Sequence, residues 1–153
     1  MEGFDLRFGN NASAEPAQGY FINAGYWNHY PKGRGSIHIT AANDVYAAPN
    51  FNTGFLSHPA DIATLIWGYK KFREIIRRMI TFRAEILETH PPFPAGSAAV
   101  PINHNDPNLR DTEYSPEDDQ ILEKWIRGTM GTTWHSMLST PSRVTLILGV
   151  RVL

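Results

Sequence analysis

The stretch SHPADIATLIWGYKKFREIIRRMI, residues 57–80, decides the fold class. Ser57 or His58 can cap a helix here. Pro59 suits the first turn, where its missing N–H has no partner to lose, and Asp61 complements the positive end of the helix dipole. Ile62, Leu65, Ile66, Tyr69, Phe72, Ile76, Met79 and Ile80 then recur at steps of three and four, the spacing that lines one helix face. Lys70, Lys71, Arg73, Arg77 and Arg78 crowd the C-terminal half, at the negative end of the dipole. The pattern predicts a long amphipathic helix, with His90-Pro91-Pro92-Phe93-Pro94 ending helical structure firmly.

Upstream, residues 1–19 read as an irregular polar lead-in and Tyr20–Tyr26 as a first strand. Pro31-Lys32-Gly33-Arg34-Gly35 is a turn signal, since glycine tolerates the positive φ of a tight turn. Ser36-Ile37-His38-Ile39-Thr40 alternates polar and apolar residues, the pattern of a half-buried strand with Ser36, His38 and Thr40 on its outer face. Ala47-Ala48-Pro49-Asn50-Phe51-Asn52 breaks it. Downstream, residues 91–114 form a long Pro- and Asn-rich loop, of a length often used for lids or covers. Ser115-Pro116-Glu117-Asp118 starts a second helix, with Ser115 as cap and Asp118 as the acid that reaches back to it. Ile121, Leu122, Trp125 and Ile126 make its apolar face, and Gly128 and Gly131 end it. Thr132–Met137 reads as a short strand and Val144–Leu153 as a second β-prone run. The expected fold is α+β, an antiparallel sheet with two flanking helices.

A length of 153 residues favours one domain with a real core, and 42% hydrophobic against 19% charged residues argues against disorder. A formal net charge of −1 provides no field for nucleic acid or an anionic membrane, so neither is expected as a partner. The absence of cysteine excludes disulfides, thiolate metal sites and a cysteine nucleophile. The chain reads as soluble, because no apolar run approaches the ~18 residues of a membrane span. Met1-Glu2-Gly3-Phe4-Asp5 lacks the order of a signal peptide, and Arg151-Val152-Leu153 is not a peroxisomal ending, so the localisation is unknown.

Several motifs have bland readings. Gly33-Arg34-Gly35 precedes a strand rather than a helix and does not fit a dinucleotide turn. The basic half of the first helix reads as a solvated helix end. His29, His38, His58, His90, His104 and His135 show no metal-ligand spacing. Glu117, Asp118 and Asp119 stabilise a helix start. That leaves His135, in Thr133-Trp134-His135-Ser136, a catalytic-looking imidazole, although a lone histidine beside a tryptophan is more often structural.

Four segments, in order, add a resemblance. They are Pro31–Ile39, Pro49–Leu56 with Pro59-Ala60-Asp61, Trp67–Ile75 with Arg73 at a characteristic arginine position, and Thr132–Ser136. Together they resemble the C-terminal, substrate-side domain of the glucose–methanol–choline (GMC) oxidoreductases, and most of all the alcohol (methanol) oxidases of fungi. The similarity covers roughly residues 20–137 and implies a partial GMC substrate-binding domain. It also implies an FAD flavoenzyme that oxidises the CH–OH of a primary alcohol, with hydride passing to flavin and O2 becoming H2O2. His135 matches the family's active-site histidine, a neutral imidazole able to accept the hydroxyl proton. Trp134 and Ser136 are implied to line the substrate and flavin pocket.

The chain departs from the family after Ser136. Met137-Leu138-Ser139-Thr140-Pro141 lacks the expected glycine, and residues 138–153 read as a divergent tail. Against what the resemblance implies, a second active-site residue and the FAD-binding half are expected to be missing. The expectation is a truncated fragment, not competent alone, whose partners are a small alcohol and O2 together with further copies of itself or the missing N-terminal half. The alternative is a non-catalytic remnant or interaction module.

Overall fold

The computed structural model describes residues 4–8, 21–102 and 109–131. In chain order the elements are β1 (Phe4–Phe8), β2 (Phe21–Ala24), β3 (Ser36–His38), β4 (Asn50–Asn52), α1 (Pro59–Arg77), β5 (Phe82–Glu85), a 3-10 turn at Leu87–Thr89, and α2 (Pro116–Thr129). The described residues fall into two units, one of residues 4–8, 21–28, 62–102 and 109–131 and one of residues 29–61. The α+β class and the two principal helices agree with the sequence reading.

The sheet of the first unit does not. Its order is β2-β1-β5, and both pairings are parallel. The expected antiparallel pairing is confined to β3 and β4 in the second unit. Parallel neighbours need a long crossover rather than a hairpin turn, and α1 lies in the chain between β2 and β5. β1 itself falls inside the segment read as an irregular lead-in.

The apolar periodicity of α1 runs to Ile80, but the helix stops at Arg77. The Arg78 and Met79 N–H groups donate three residues back, to Ile75 O at 3.3 Å and Ile76 O at 3.0 Å, so the last turn tightens. The chain then swings Phe82 into the core, where it is fully buried, while Ile80 stays exposed. Burial of an aromatic ring outweighs continuation of the helix.

Among the described residues, the buried apolar side chains include Ile62, Tyr69 and Ile76 of α1, Leu122 and Ile126 of α2, and Phe82 and Ala99. Tyr69 lies edge-on to Trp125 with ring centroids 5.9 Å apart. Tyr26 stacks on Phe72 at 6.3 Å. Gly68 makes room for that tyrosine, because a Cβ at Gly68 would lie 2.7 Å from Tyr26 Cδ2.

The start of α2 is the expected capping box. Ser115 Oγ accepts from the Asp118 N–H at 3.1 Å, and the Asp118 carboxylate accepts from the Ser115 N–H at 2.8 Å. At the other end the cap is Met130, whose N–H donates to Ile126 O at 2.9 Å, rather than a glycine.

In the second unit, Ile37 pairs with Phe51 across the two-stranded ribbon. All six ribbon residues are exposed, so β3 is not the half-buried strand expected from its alternation. The glycines before it act by close approach rather than by positive φ. A Cβ at Gly35 would lie 2.2 Å from Asn52 O, and one at Gly54 would lie 2.1 Å from Arg34 O. Gly54 does carry a positive φ, 61°, on the other side of that crossing. The strands expected at 132–137 and 144–153 lie outside the described residues.

Candidate functional site

Arg73 lies on the inward face of α1, and its side chain is fully buried. A buried guanidinium must satisfy five N–H donors. Nε and Nη2 grip the two Glu85 carboxylate oxygens at 2.6 and 2.7 Å. Nη2 also donates to Val100 O at 3.2 Å, and Nη1 donates to Ala99 O at 2.8 Å and to the Tyr114 hydroxyl at 3.1 Å. Those five bonds use the donor set of the group, so Arg73 is a scaffold residue and not a seat for a substrate anion.

Glu85 completes the arrangement from β5. Its side chain is fully buried too. Oε2 accepts from the Ile102 N–H at 2.8 Å, while the Glu85 N–H donates to Ile102 O at 2.7 Å. Burial pushes the carboxyl up, but the Arg73 hydrogen bonds and charge outweigh it, and its pKa lies below the usual carboxylate range. The Tyr69 hydroxyl and His90 Nδ1 lie 2.7 Å apart, and His90 Nε2 is 4.0 Å from Glu85 Oε1. Burial raises the pKa of the Tyr69 and Tyr114 hydroxyls, so both are protonated at neutral pH.

A second set of contacts fastens the same loop. Glu74 accepts from the Thr112 N–H at 2.8 Å and pairs with Arg78 at 2.9 Å. Arg77 donates to Thr112 and Arg78 pairs with Asp111. Ser97 Oγ donates to Asp118 at 2.8 Å. The described parts of the 91–114 loop are therefore pinned at residues 97, 99, 100, 102, 112 and 114. This is a clamped strap over α1 rather than a free lid, and it leads directly into α2. His135 follows the end of α2 by six residues.

In the second unit the Gly-rich turn also turns inward. The Lys32 and Gly33 N–H groups both donate to the Asp61 carboxylate at 2.7 Å. Burial pushes that carboxyl up, but these two N–H bonds, with the charges of His58 and Arg34, hold its pKa below the usual range. The chain's own carboxylate thus fills the cradle that a phosphate would need. Arg34 Nη1 folds back onto the carbonyls of Pro31, Lys32 and Gly33 at 2.9, 3.2 and 2.9 Å.

His135, Trp134 and Ser136, the site residues of the sequence reading, lie outside the described residues. Sequence reasoning singled out Arg73 but missed Glu85, His90 and Tyr114. The available signal was an acid inside a four-residue strand, Phe82-Arg83-Ala84-Glu85, where an interior position calls for an apolar side chain or a partnered charge.

The profile of the GMC oxidoreductase C-terminal domain matches residues 31–141. The chain thus carries the C-terminal domain of a class of oxidoreductases, and it belongs to the GMC oxidoreductase family. Among its relatives, alcohol oxidase 1 of Komagataella phaffii is 33% identical over 171 aligned residues, covering 85% of this chain and 25% of that protein. The alcohol oxidase of Pichia angusta is 32% identical, covering 78% of this chain and 24% of its own length. That of Candida boidinii is 30% identical, covering 85% and 26%. The chain spans about a quarter of the length of the curated relatives it matches.

Proposed function

We propose that this chain is the substrate-side part of an FAD-dependent alcohol oxidase, acting on the CH–OH group of a small primary alcohol and competent only with a flavin-binding part. The family match over residues 31–141, joined to relatives that are alcohol oxidases, carries the reading. The described residues do not themselves fit FAD. A dinucleotide pyrophosphate is held where a glycine-rich turn opens a helix. Here the turn at 33–35 leads into β3, and the Lys32 and Gly33 N–H groups are taken by Asp61. The hydride acceptor is therefore assigned to polypeptide beyond these residues.

In this reading His135 accepts the proton of the substrate hydroxyl, and Trp134 and Ser136 shape the pocket around it. A neutral imidazole can take a proton near pH 7 without itself leaving the site. Arg73 and Glu85 act at a distance by fixing the strap and the start of α2.

The test is co-expression of the full chain with the remainder of Komagataella phaffii alcohol oxidase 1, the part outside the matched quarter. The isolated chain should show no flavin absorbance and no peroxide from methanol. The co-expressed assembly should show both. A colourless, inactive mixture contradicts the reading, and an assembly that holds flavin but releases no peroxide favours a non-catalytic remnant.

A further inference from the structure

His90 follows the 3-10 turn and opens the strap, and its side chain is fully buried. The function proposed above gives it no part. Its Nδ1 lies 2.7 Å from the Tyr69 hydroxyl, and the two rings meet edge-on with centroids 6.0 Å apart. That hydroxyl keeps its proton at neutral pH, because burial raises its pKa. A hydroxyl that donates to Nδ1 requires an imidazole with no hydrogen there, so the neutral ring carries its proton on Nε2. Nε2 lies 4.0 Å from Glu85 Oε1.

Among the described residues, the charged and titratable groups around this ring are Tyr69 and Arg73 of α1 and Glu85 of β5. Tyr26 and Tyr114 act on Tyr69 from further away, and burial keeps both neutral. From α2 the uncharged ring of Trp125 lies edge-on to Tyr69. The Glu85 charge is already matched by Arg73 through both carboxylate oxygens. Protonation of His90 would leave an unbalanced positive charge in a site without solvent, which burial disfavours. It would also put a hydrogen on Nδ1 against the Tyr69 O–H. The imidazolium would compete for Glu85 Oε1, the oxygen that Arg73 Nε holds at 2.6 Å. Arg73 in turn holds the Ala99 and Val100 carbonyls, and Glu85 holds Ile102, so any disturbance of the pair passes directly to the strap. We propose that His90 is an acid-sensitive latch, which when neutral secures Tyr69 and the Arg73–Glu85 clamp and when protonated releases the strap from α1. The unfolded chain binds a proton at His90 below about 6.5, the ordinary histidine value, and the latched chain does not, so stability falls as pH drops through that value.

The test is urea unfolding of the full chain from about pH 7.5 to 5, in the wild type and in His90→Asn, whose amide oxygen keeps an acceptor for Tyr69 but does not titrate. Relative to the variant, the wild-type unfolding constant should rise below about pH 6.5 by up to about tenfold per pH unit, the limit for one proton. Parallel slopes overturn the latch. A wild type that gains stability in acid overturns it too, since Glu85 then binds the imidazolium. Two measurements on the wild type decide the matter if the variant fails to fold. Nitrogen-15 spectra of the His90 ring at neutral pH should show the proton on Nε2, and a proton on Nδ1 contradicts the proposal. Amide exchange at Glu85 and Ile102, corrected for its intrinsic pH dependence, should quicken on acidification through about pH 6.5. Unchanged protection there overturns the release of the strap.

Discussion

Replacing Arg73 with methionine tests the buried charge pair directly. The substitution keeps most of the side-chain volume but leaves the Glu85 carboxylate without its partner, at a site with no solvent exposure. Breaking a buried pair from one side costs about 3–5 kcal/mol. The carbonyls of Ala99 and Val100 and the Tyr114 hydroxyl lose donors as well. Against a total stability of about 5–15 kcal/mol, that loss is a large share. Glu85→Leu should cost a similar amount by stranding the guanidinium. The double variant Arg73→Met/Glu85→Leu should lose clearly less than the sum, with a coupling of at least about 2 kcal/mol, because no bare charge remains. Urea unfolding followed by tryptophan fluorescence and far-UV circular dichroism measures all three. A loss under about 1 kcal/mol for Arg73→Met, or a double variant that loses the full sum, would refute the clamp.

Other outcomes follow from single contacts. Alanine normally stabilises a helix interior over glycine by about 1 kcal/mol; Gly68→Ala should instead destabilise by a similar amount, because its Cβ meets the Tyr26 ring at 2.7 Å, and a thermal melt gives the sign. Asp118→Ala removes the capping box and the Ser97 contact, and should cost about 1–2 kcal/mol, with faster amide exchange at the start of α2 as its local signature. Burial raises the pKa of Asp61, Glu85 and Asp118, but their hydrogen-bond donors and nearby cations prevail, so each folded value lies below the unfolded one. Their stabilisation is complete above the unfolded value of about 4 and disappears as pH falls through the folded values. Urea midpoints should therefore be insensitive to these groups from pH 7 to 5 and fall steeply below about 4; a flat profile to pH 2 would contradict the assignment.

The helices were legible because their determinants are local. The step of three and four from Ile62 to Ile76, and the Ser115–Asp118 box, specify helices without reference to the rest of the chain. The sheet was not, because its determinants are distant. β5 is four residues long and hides a carboxylate among its positions, so no alternation betrays it. It exists because Arg73, twelve residues earlier, neutralises Glu85 and because Phe82 finds the core. The end of α1 at Arg77 has the same origin, since Met79 and Ile80 continue the helical period but lose to the burial of Phe82. For β3 the alternation was real but the inference of burial was not. Ile37 faces solvent, in a two-stranded ribbon whose six residues are all exposed. Arg73 was visible as a conspicuous cation, while its role became visible only with the carbonyls of Ala99 and Val100 around it.

The most direct measurement of the functional account is methanol turnover by the co-expressed assembly carrying His135→Ala, read as peroxide release at saturating methanol. Loss of a general base should lower kcat by about 10²-fold or more while assembly and flavin content stay at wild-type levels. Turnover equal to the wild-type assembly would remove His135 from the chemistry and with it the proposed role of this chain.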